Sequence, residues 1–305
     1  MRLIFAGTPA VAVPSLLRLL DGPHEVVAVL TREDAPLGRK RILTPSPVAQ
    51  AAAEARLPVL KANRLTDETT AAITGLAADL GVIVAYGGFL REPLLSAPRH
   101  GWINLHFSLL PAWRGAAPVQ HALIAGDTVG GASVFQLVRE LDAGDVYATL
   151  PHAIDPDATA GRLLDELALS GATFLADIVD RIAAGTITPV PQAGDVSLAP
   201  KLSIDDGRID WTAPAEEVYN RYRGVTPEPG AHTRIDGARF KILDARRAPD
   251  LRLPPGRFDL VDSRVVIGTA TTALELLRVQ PAGKPAMSAA DWWRGLGRSP
   301  AILAE

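Results

Sequence analysis

Five short apolar runs, separated by segments with helical periodicity, dominate the first third of the 305-residue chain. Continuous runs of this length, bounded by turn residues, are typical of strands that are buried on both faces of a parallel sheet. The runs lie at residues 2–6, 25–30, 57–60, 80–86 and 102–107. Because strands and helices alternate at this spacing, we predict an α/β fold with a doubly wound, mostly parallel sheet.

A different pattern begins near residue 208. One short predicted helix at 214–223 precedes several short strands, with a hairpin turn at Asp236 and Gly237. This pattern predicts a small, OB-like β-barrel, a fold that often binds oligonucleotides. The stretch before it contains prolines and no helical period, and is expected to be extended. We therefore divide the chain into a first domain at 1–189, an extended linker at 190–207 and a barrel at 208–305.

Composition limits the classes of protein to consider. Hydrophobic residues make up 48% of the chain and charged residues 21%, as in ordinary globular proteins. The chain has no cysteine, and its six histidines show no zinc-binding spacing, so we expect no metal. No apolar stretch approaches the ~20 residues that a membrane helix needs, and the first residues lack a signal-peptide pattern. These features predict a cytoplasmic protein with no membrane partner.

The charge is unevenly distributed. Residues 1–207 contain 16 Lys and Arg against 22 Asp and Glu, a net charge of −6, whereas residues 208–305 contain 15 against 12, a net charge of +3. A basic second part beside an acidic first part suggests contact with a polyanion, although an ordinary solvated surface can show the same excess.

The segment NLHFSLLPAWRGAAP, at residues 104–118, carries the strongest indication of chemistry. Asn104 and His106 stand two positions apart in a predicted strand, so they project from the same face near its carboxyl end. An amide can stabilise a developing oxyanion, and an imidazole can move a proton near neutral pH. The alternative is a histidine whose ring only satisfies the backbone at a strand end.

This segment resembles the signature of the formyltetrahydrofolate-dependent formyltransferases. SLLP followed by WRGAAP is similar to the members of that family that act on methionyl-tRNA. The resemblance extends along the chain, through short motifs at residues 5–9, 38–47, 85–87, 141–145, 206–211 and 280–284. It implies a Rossmann-like formyltransferase fold in the first domain and a tRNA-binding role for the barrel.

The resemblance also implies roles for individual residues. Asn104, His106 and Asp142 would be catalytic, with Asp142 holding His106 in its working form; an isolated aspartate there could instead cap its own turn. Two loops would bind the folate, through Ser108, Leu109, Leu110 and Pro111 and through Tyr86, Gly87, Gly88, Phe89 and Leu90. A basic loop would meet the tRNA through Arg39, Lys40 and Arg41.

The implied reaction transfers a formyl group from 10-formyltetrahydrofolate to the amine of initiator methionyl-tRNA, for translation initiation, by a monomer without a metal. Two other functions stay open. One is a related formyltransferase that acts on a small amine, which would not need the basic loop or the barrel. The other is a non-catalytic nucleic-acid-binding protein, which would not need Asn104, His106 and Asp142 together. The pair Trp292 and Trp293 could stack on a base, but such a pair more often belongs to a core.

Overall fold

The computed structural model describes residues 1–38, 40–297 and 302–304. The chain forms two compact units that interleave along the sequence. The first comprises Met1–Pro118, Val129–Ala153 and Leu164–Ala199, and the second Val119–Thr128, Ile154–Leu163 and Pro200–Glu305. The division at residues 189 and 208 stays a prediction. Within the described residues, no helix combines the length and the apolar character needed to span a bilayer.

The strands and helices that precede residue 200 follow the predicted alternation. The strands are β1 (Arg2–Gly7), β2 (Glu25–Thr31), β3 (Ala35–Leu37), β4 (Ile42–Thr44), β5 (Val59–Lys61), β6 (Leu80–Val84), β7 (Trp102–His106), β8 (Arg114–Gly115), β9 (Val129–Gln136), β10 (Val146–Ala153) and β11 (Leu198–Ala199). The helices are α1 (Val13–Leu20), α2 (Pro47–Glu54), α3 (Asp67–Thr74), α4 (Pro118–Ala125) and α5 (Ala160–Ala183).

Seven of these strands form the central sheet of the first unit, in the order β10-β9-β7-β6-β1-β2-β5. The strands from β7 to β5 pair in parallel, while β9 and β10 are antiparallel additions. The predicted doubly wound, mostly parallel sheet is therefore confirmed. The strand order reverses beside β1, and ligands of such sheets bind where the strands on either side of a reversal end. The carboxyl ends of β1, β6 and β7 are thus the place to look for a site.

The second unit is an antiparallel β domain. Its strands are β12 (His232–Ile235), β13 (Ala238–Ala248), β14 (Phe258–Val261), β15 (Arg264–Gly268), β16 (Ala273–Pro281) and β17 (Met287–Ser288), and its later helices are α6 (Ala215–Gly224) and α7 (Ala289–Arg294). The pairing order is β12-β13-β16-β15-β14, with β17 on β16. Asp236 and Gly237 both have positive φ, 50° and 74°, as a two-residue hairpin turn requires. The antiparallel domain is confirmed, and closure into a barrel stays a prediction.

The two adjacent tryptophans of α7 face different surroundings. Trp292 is only 8% exposed, and its ring lies 4.6 Å from that of Phe240 and 5.3 Å from that of Phe258. Trp293 is only partly buried against the same cluster. Trp292 is therefore a core residue of the second unit and is not free to stack on a base.

Replacing Trp292 by Ala should destabilise the second unit strongly, because the change leaves a large cavity between two aromatic rings. We expect a loss of about 3–5 kcal/mol in the free energy of unfolding. Denaturant titration followed by circular dichroism measures it, with Trp293→Ala as the matched control, which should lose much less. Equal losses for the two variants would contradict the core assignment of Trp292.

Candidate active site

Strand β7 places Asn104 and His106 on one face of the sheet, as the two-residue spacing predicts. β7 lies between β6 and β9, and its neighbouring side chains Trp102, Ile103 and Leu105 are buried. His106 is only 6% exposed, and the ring of Phe135 stands edge-on to it at 6.3 Å. The imidazole is thus held in a largely apolar setting at the carboxyl end of a central strand.

The loop that follows β7 is fixed by hydroxyl groups. The Ser108 hydroxyl donates to the carbonyl oxygen of Ala112 at 2.6 Å, which closes the loop on itself. The Ser133 hydroxyl, on the neighbouring strand β9, donates to the carbonyl oxygen of Ser108 and accepts the Leu110 amide at 3.0 Å. This bracing brings the carbonyl oxygen of Trp113 to 2.9 Å from His106 Nε2.

The hydrogen bond to Trp113 decides the tautomer of His106. A carbonyl oxygen can only accept, so Nε2 carries a hydrogen. His106 Nδ1 faces Asp142 Oδ2 at 3.8 Å, which is longer than a hydrogen bond. Burial lowers the pKa of His106, against the opposing effects of the Asp142 charge and the Trp113 carbonyl. The imidazole is therefore neutral near neutral pH, with an unprotonated Nδ1 that can accept a proton.

Asp142 reaches this site from a loop that is distant in sequence. Its carboxylate Oδ2 accepts the backbone N–H of Gly115 at 2.8 Å, and its backbone has a φ of 48°. The chain turns sharply at Gly144, where a Cβ would lie 1.8 Å from the carbonyl oxygen of Gln136. The carboxylate thus bonds to a residue 27 positions away instead of capping its own turn, and the structure brings Asp142 and His106 together.

Asn104 leaves a hydrogen-bonding atom open in the same region. Its Oδ1 is buried, and no partner for that atom occurs among the described residues. A buried amide atom without a partner is costly, and a ligand can satisfy it. Rotation of the amide by 180° would put its N–H₂ in the same place, so Asn104 can offer the donor that an oxyanion requires.

The residues predicted to bind folate differ in how exposed they are in the structure. Ser108, Leu110 and Pro111 are buried in the braced loop, and Leu109 is half-buried. Tyr86 belongs to the core, where it is 1% exposed and its hydroxyl donates to the carbonyl oxygen of Ala62. Its side chain therefore packs in the core, its carbonyl oxygen accepts from the Thr8 hydroxyl at 2.9 Å, and a role of Tyr86 in folate binding stays a prediction. By contrast, Gly87 and Phe89 are exposed, and Gly88 and Leu90 are half-buried.

Two neighbouring clefts open beside this second loop. One has a volume of about 730 Å³ and is lined by Phe89, Leu90, Arg91, Glu92, Leu95 and Arg139. The other, of about 680 Å³, shares Phe89, Arg91 and Glu92 and adds two further arginines, Arg32 and Arg64. Neither arginine belongs to the motifs that indicate the site in the sequence. Their position just after the strands β2 and β5 is the signal that could have indicated them.

The basic loop forms more structure than its sequence suggests. Arg39 lies outside the described residues. Lys40 and Arg41 are exposed, next to a two-stranded hairpin in which β3 pairs with β4. Leu37 and Ile42 lie opposite each other in this hairpin, 66% and 62% exposed. The hairpin therefore presents apolar and cationic side chains together.

Comparison with known families decides the class of this site. A model of the formyl transferase family matches residues 1–179, and a model of the formyl transferase C-terminal domain matches residues 201–297. The chain belongs to the formyl transferase family. The described residues contain no group of three or more His, Cys, Asp or Glu side chains arranged to hold a metal ion.

Similar proteins are known both by sequence identity and by structural similarity. The methionyl-tRNA formyltransferase of Leifsonia xyli subsp. xyli (strain CTCB07) is 62% identical over 97% of this chain and 98% of its own length, and that of Clavibacter sepedonicus is 59% identical over 97% of each. Among solved structures, HypX from Aquifex aeolicus has a TM-score of 0.69 at 19% identity, covering 98% of this chain and 49% of that one. A methionyl-tRNA formyltransferase from Clostridium thermocellum has a TM-score of 0.57 at 13% identity, covering 81% and 94%. These structural likenesses establish the fold alone.

Replacing Asp142 by Asn should move the acidic limb of the pH profile of kcat/KM to lower pH. The carboxylate stabilises the imidazolium form of His106, so its removal lowers the histidine pKa further. The lost charge should also reduce kcat by about 10²-fold. Steady-state formyl transfer measured over a pH series tests both effects. An acidic limb that stays in place or moves upward would show that Asp142 does not act on His106.

Proposed function

We propose that this chain transfers the formyl group of 10-formyltetrahydrofolate to the α-amine of methionyl-tRNA. The observation that carries the proposal is the 62% identity, over 97% of this chain, with the methionyl-tRNA formyltransferase of Leifsonia xyli. The pairing of a neutral, buried His106 with Asp142 supplies the chemistry that such a transfer needs. The product, N-formylmethionyl-tRNA, serves translation initiation.

The described residues suit each step of the transfer. The amine attacks the formyl carbon, which gives a tetrahedral intermediate with a negatively charged oxygen. His106 Nδ1 accepts the proton that the attacking nitrogen must lose, and Asp142 stabilises the imidazolium that results. Asn104 donates to the oxyanion. The proton then passes from His106 to the departing folate nitrogen, so that the bond to the formyl carbon breaks and the ring returns to its neutral state.

The clefts beside residues 86–90 suit a folate-derived donor. Phe89, Leu90 and Leu95 provide an apolar wall on which a flat heterocycle can pack. Arg32, Arg64 and Arg91 provide positive charge in the adjoining cleft, which suits a carboxylate. One structure of the similar HypX protein is a complex with tetrahydrofolic acid, and one of an N-formyltransferase from Helicobacter canadensis is a complex with folinic acid and dTDP-3-aminofucose. Both relatives support a folate ligand here.

The basic loop is proposed to bind the acceptor stem of the tRNA. Replacing Arg39, Lys40 and Arg41 together by Ala should raise the KM for methionyl-tRNA at least tenfold, because each cation that meets a phosphate releases counterions. The KM for 10-formyltetrahydrofolate should change little. Initial rates measured with each substrate varied in turn test this prediction. Equal increases in both KM values would contradict a specific role of the loop in tRNA binding.

The arginines of the second unit are not equally available to a tRNA. Arg246 makes two hydrogen bonds of 3.0 Å to the buried Glu275, and Arg247 is held by Glu216 and by Asp157. Arg257 lies 3.5 Å from Asp259. All of these arginines contribute to the positive net charge of residues 208–305, which suggested contact with a polyanion. The carboxylates already neutralise part of this charge, so the paired arginines are weaker candidates for a phosphate contact.

The hairpin of β12 and β13 carries the better candidates. Arg234 lies directly opposite Arg239, and His232 lies opposite Lys241. Like charges placed directly opposite each other destabilise a sheet unless an anion lies against them. Within the described residues, no carboxylate forms an ion pair with Arg234, Arg239 or Lys241. A phosphate backbone would supply the missing negative charge.

Replacing Arg234 and Arg239 by Ala should raise the KM for methionyl-tRNA. It should also reduce the slope of log K for tRNA binding against log salt concentration by about two, because about two fewer counterions are released. Arg247→Ala is the control, and it should lower thermal stability while the salt dependence stays unchanged. An unchanged salt dependence in the double variant would remove this face from the tRNA contact. Truncation near residue 205 is a less specific test. It would remove most of the second unit but leave behind Val119–Thr128 and Ile154–Leu163, which also belong to that unit.

Mass spectrometry tests the proposed function itself. The protein is incubated with 10-formyltetrahydrofolate and charged initiator tRNA, and the released amino acid is examined for N-formylmethionine. His106→Ala serves as the catalytic control, and glycinamide ribonucleotide and a nucleotide-linked amino sugar serve as competing amine substrates. Formylation of either small amine in place of methionyl-tRNA would overturn the proposal in favour of a small-amine formyltransferase.

A further inference from the structure

Residues 190–199, which the sequence analysis assigned to a linker, lie along the catalytic site of the first unit. At one end, Val190 exchanges two backbone hydrogen bonds with Val146, the first residue of β10. At the other end, β11 pairs in parallel with β8. Between them, the Ser197 hydroxyl accepts the backbone N–H of Trp113, whose carbonyl oxygen holds His106. The segment is thus part of the framework of the site.

Gln192 is the side chain through which this segment reaches the loop of Asp142. Its Nε2 donates to the carbonyl oxygens of Asp142 and Gly144, both at 2.8 Å. Its Oε1 accepts from Arg114, at 3.1 Å from Nε and 2.6 Å from the terminal nitrogen. One amide therefore joins the catalytic loop to β8, the strand whose Gly115 N–H binds the Asp142 carboxylate.

We propose that Gln192 is a positioning residue that keeps the Asp142 carboxylate facing His106 during formyl transfer. The proposal rests on the proposed function of the site. Asp142 has a φ of 48°, a conformation that a residue with a side chain adopts at a cost and keeps only when its surroundings hold it. The two bonds that Gln192 donates, on either side of residue 143, supply that restraint.

The chemistry of the side chain explains why a glutamine is needed at this position. The two loop carbonyls need a donor with two hydrogens, and Arg114 needs an acceptor. A primary amide of this length meets both needs at once. A glutamate could still accept from Arg114 but could not donate to the carbonyls, and a methionine could do neither.

These differences provide the test, which compares full-length Gln192→Glu and Gln192→Met with the wild-type protein in the formylation of methionyl-tRNA. A misplaced catalytic group costs on the order of 10- to 100-fold in rate. We expect kcat to fall by that factor in both variants while the KM for methionyl-tRNA stays within about twofold. In Gln192→Met, which adds no charge, the acidic limb of kcat/KM should also move to lower pH, because His106 loses part of the stabilisation by Asp142, the charged group that faces it.

Gln136→Met is the matched control. Gln136 also donates through Nε2 to two carbonyl oxygens, those of His100 and Trp102, and its Oε1 accepts from Tyr147. Gln136→Met should lower thermal stability about as much as Gln192→Met does, and it should leave kcat and the pH profile unchanged. If Gln192→Glu keeps normal kcat, or if Gln136→Met loses as much, Gln192 has only a structural role. Failure of the wild-type protein to formylate methionyl-tRNA would instead refute the proposed function.

Discussion

The hydrogen bond from the Gly115 N–H to the Asp142 carboxylate, 2.8 Å long, is the interaction on which the candidate site depends. It joins a tight loop to a two-residue strand, and so fixes where the negative charge lies relative to His106. β8 can play this part because β11 pairs with it, and because Gly115 allows a close approach: a Cβ there would lie 2.4 Å from the carbonyl oxygen of Ala199. A larger residue at 115 would separate the strands and release the carboxylate.

Two opposing effects then set the state of His106. Burial disfavours its charged form, whereas the Asp142 carboxylate and the Trp113 carbonyl favour that form, and burial prevails, so its pKa is lowered. The neutral ring has an unprotonated Nδ1, and the Asp142 carboxylate can stabilise the imidazolium that forms when Nδ1 accepts a proton. This arrangement suits a base that must give the proton back within the same reaction.

Much of the fold could be predicted from local patterns, since apolar runs determine strands and a two-residue spacing placed Asn104 and His106 on one face. The rest depends on contacts between residues far apart in sequence. Gln192 reaches the loop across 48 and 50 residues, and its own segment, which contains Pro191 and lacks periodicity, resembles a linker. For the same reason the sequence could not separate Arg246, which is bound to Glu275, from Arg234, for which the described part of the chain shows no ion pair with a carboxylate.

The protonation state of His106 is the most direct test of this account. Nitrogen-15 NMR of the histidine-labelled protein, with His106 assigned by comparison with His106→Gln, distinguishes a protonated from an unprotonated ring nitrogen. The account predicts that at neutral pH Nε2 is protonated and Nδ1 is not, and that the ring becomes charged only at a pH below the ordinary histidine pKa. A ring that is protonated on both nitrogens at neutral pH, or on Nδ1 alone, would contradict it.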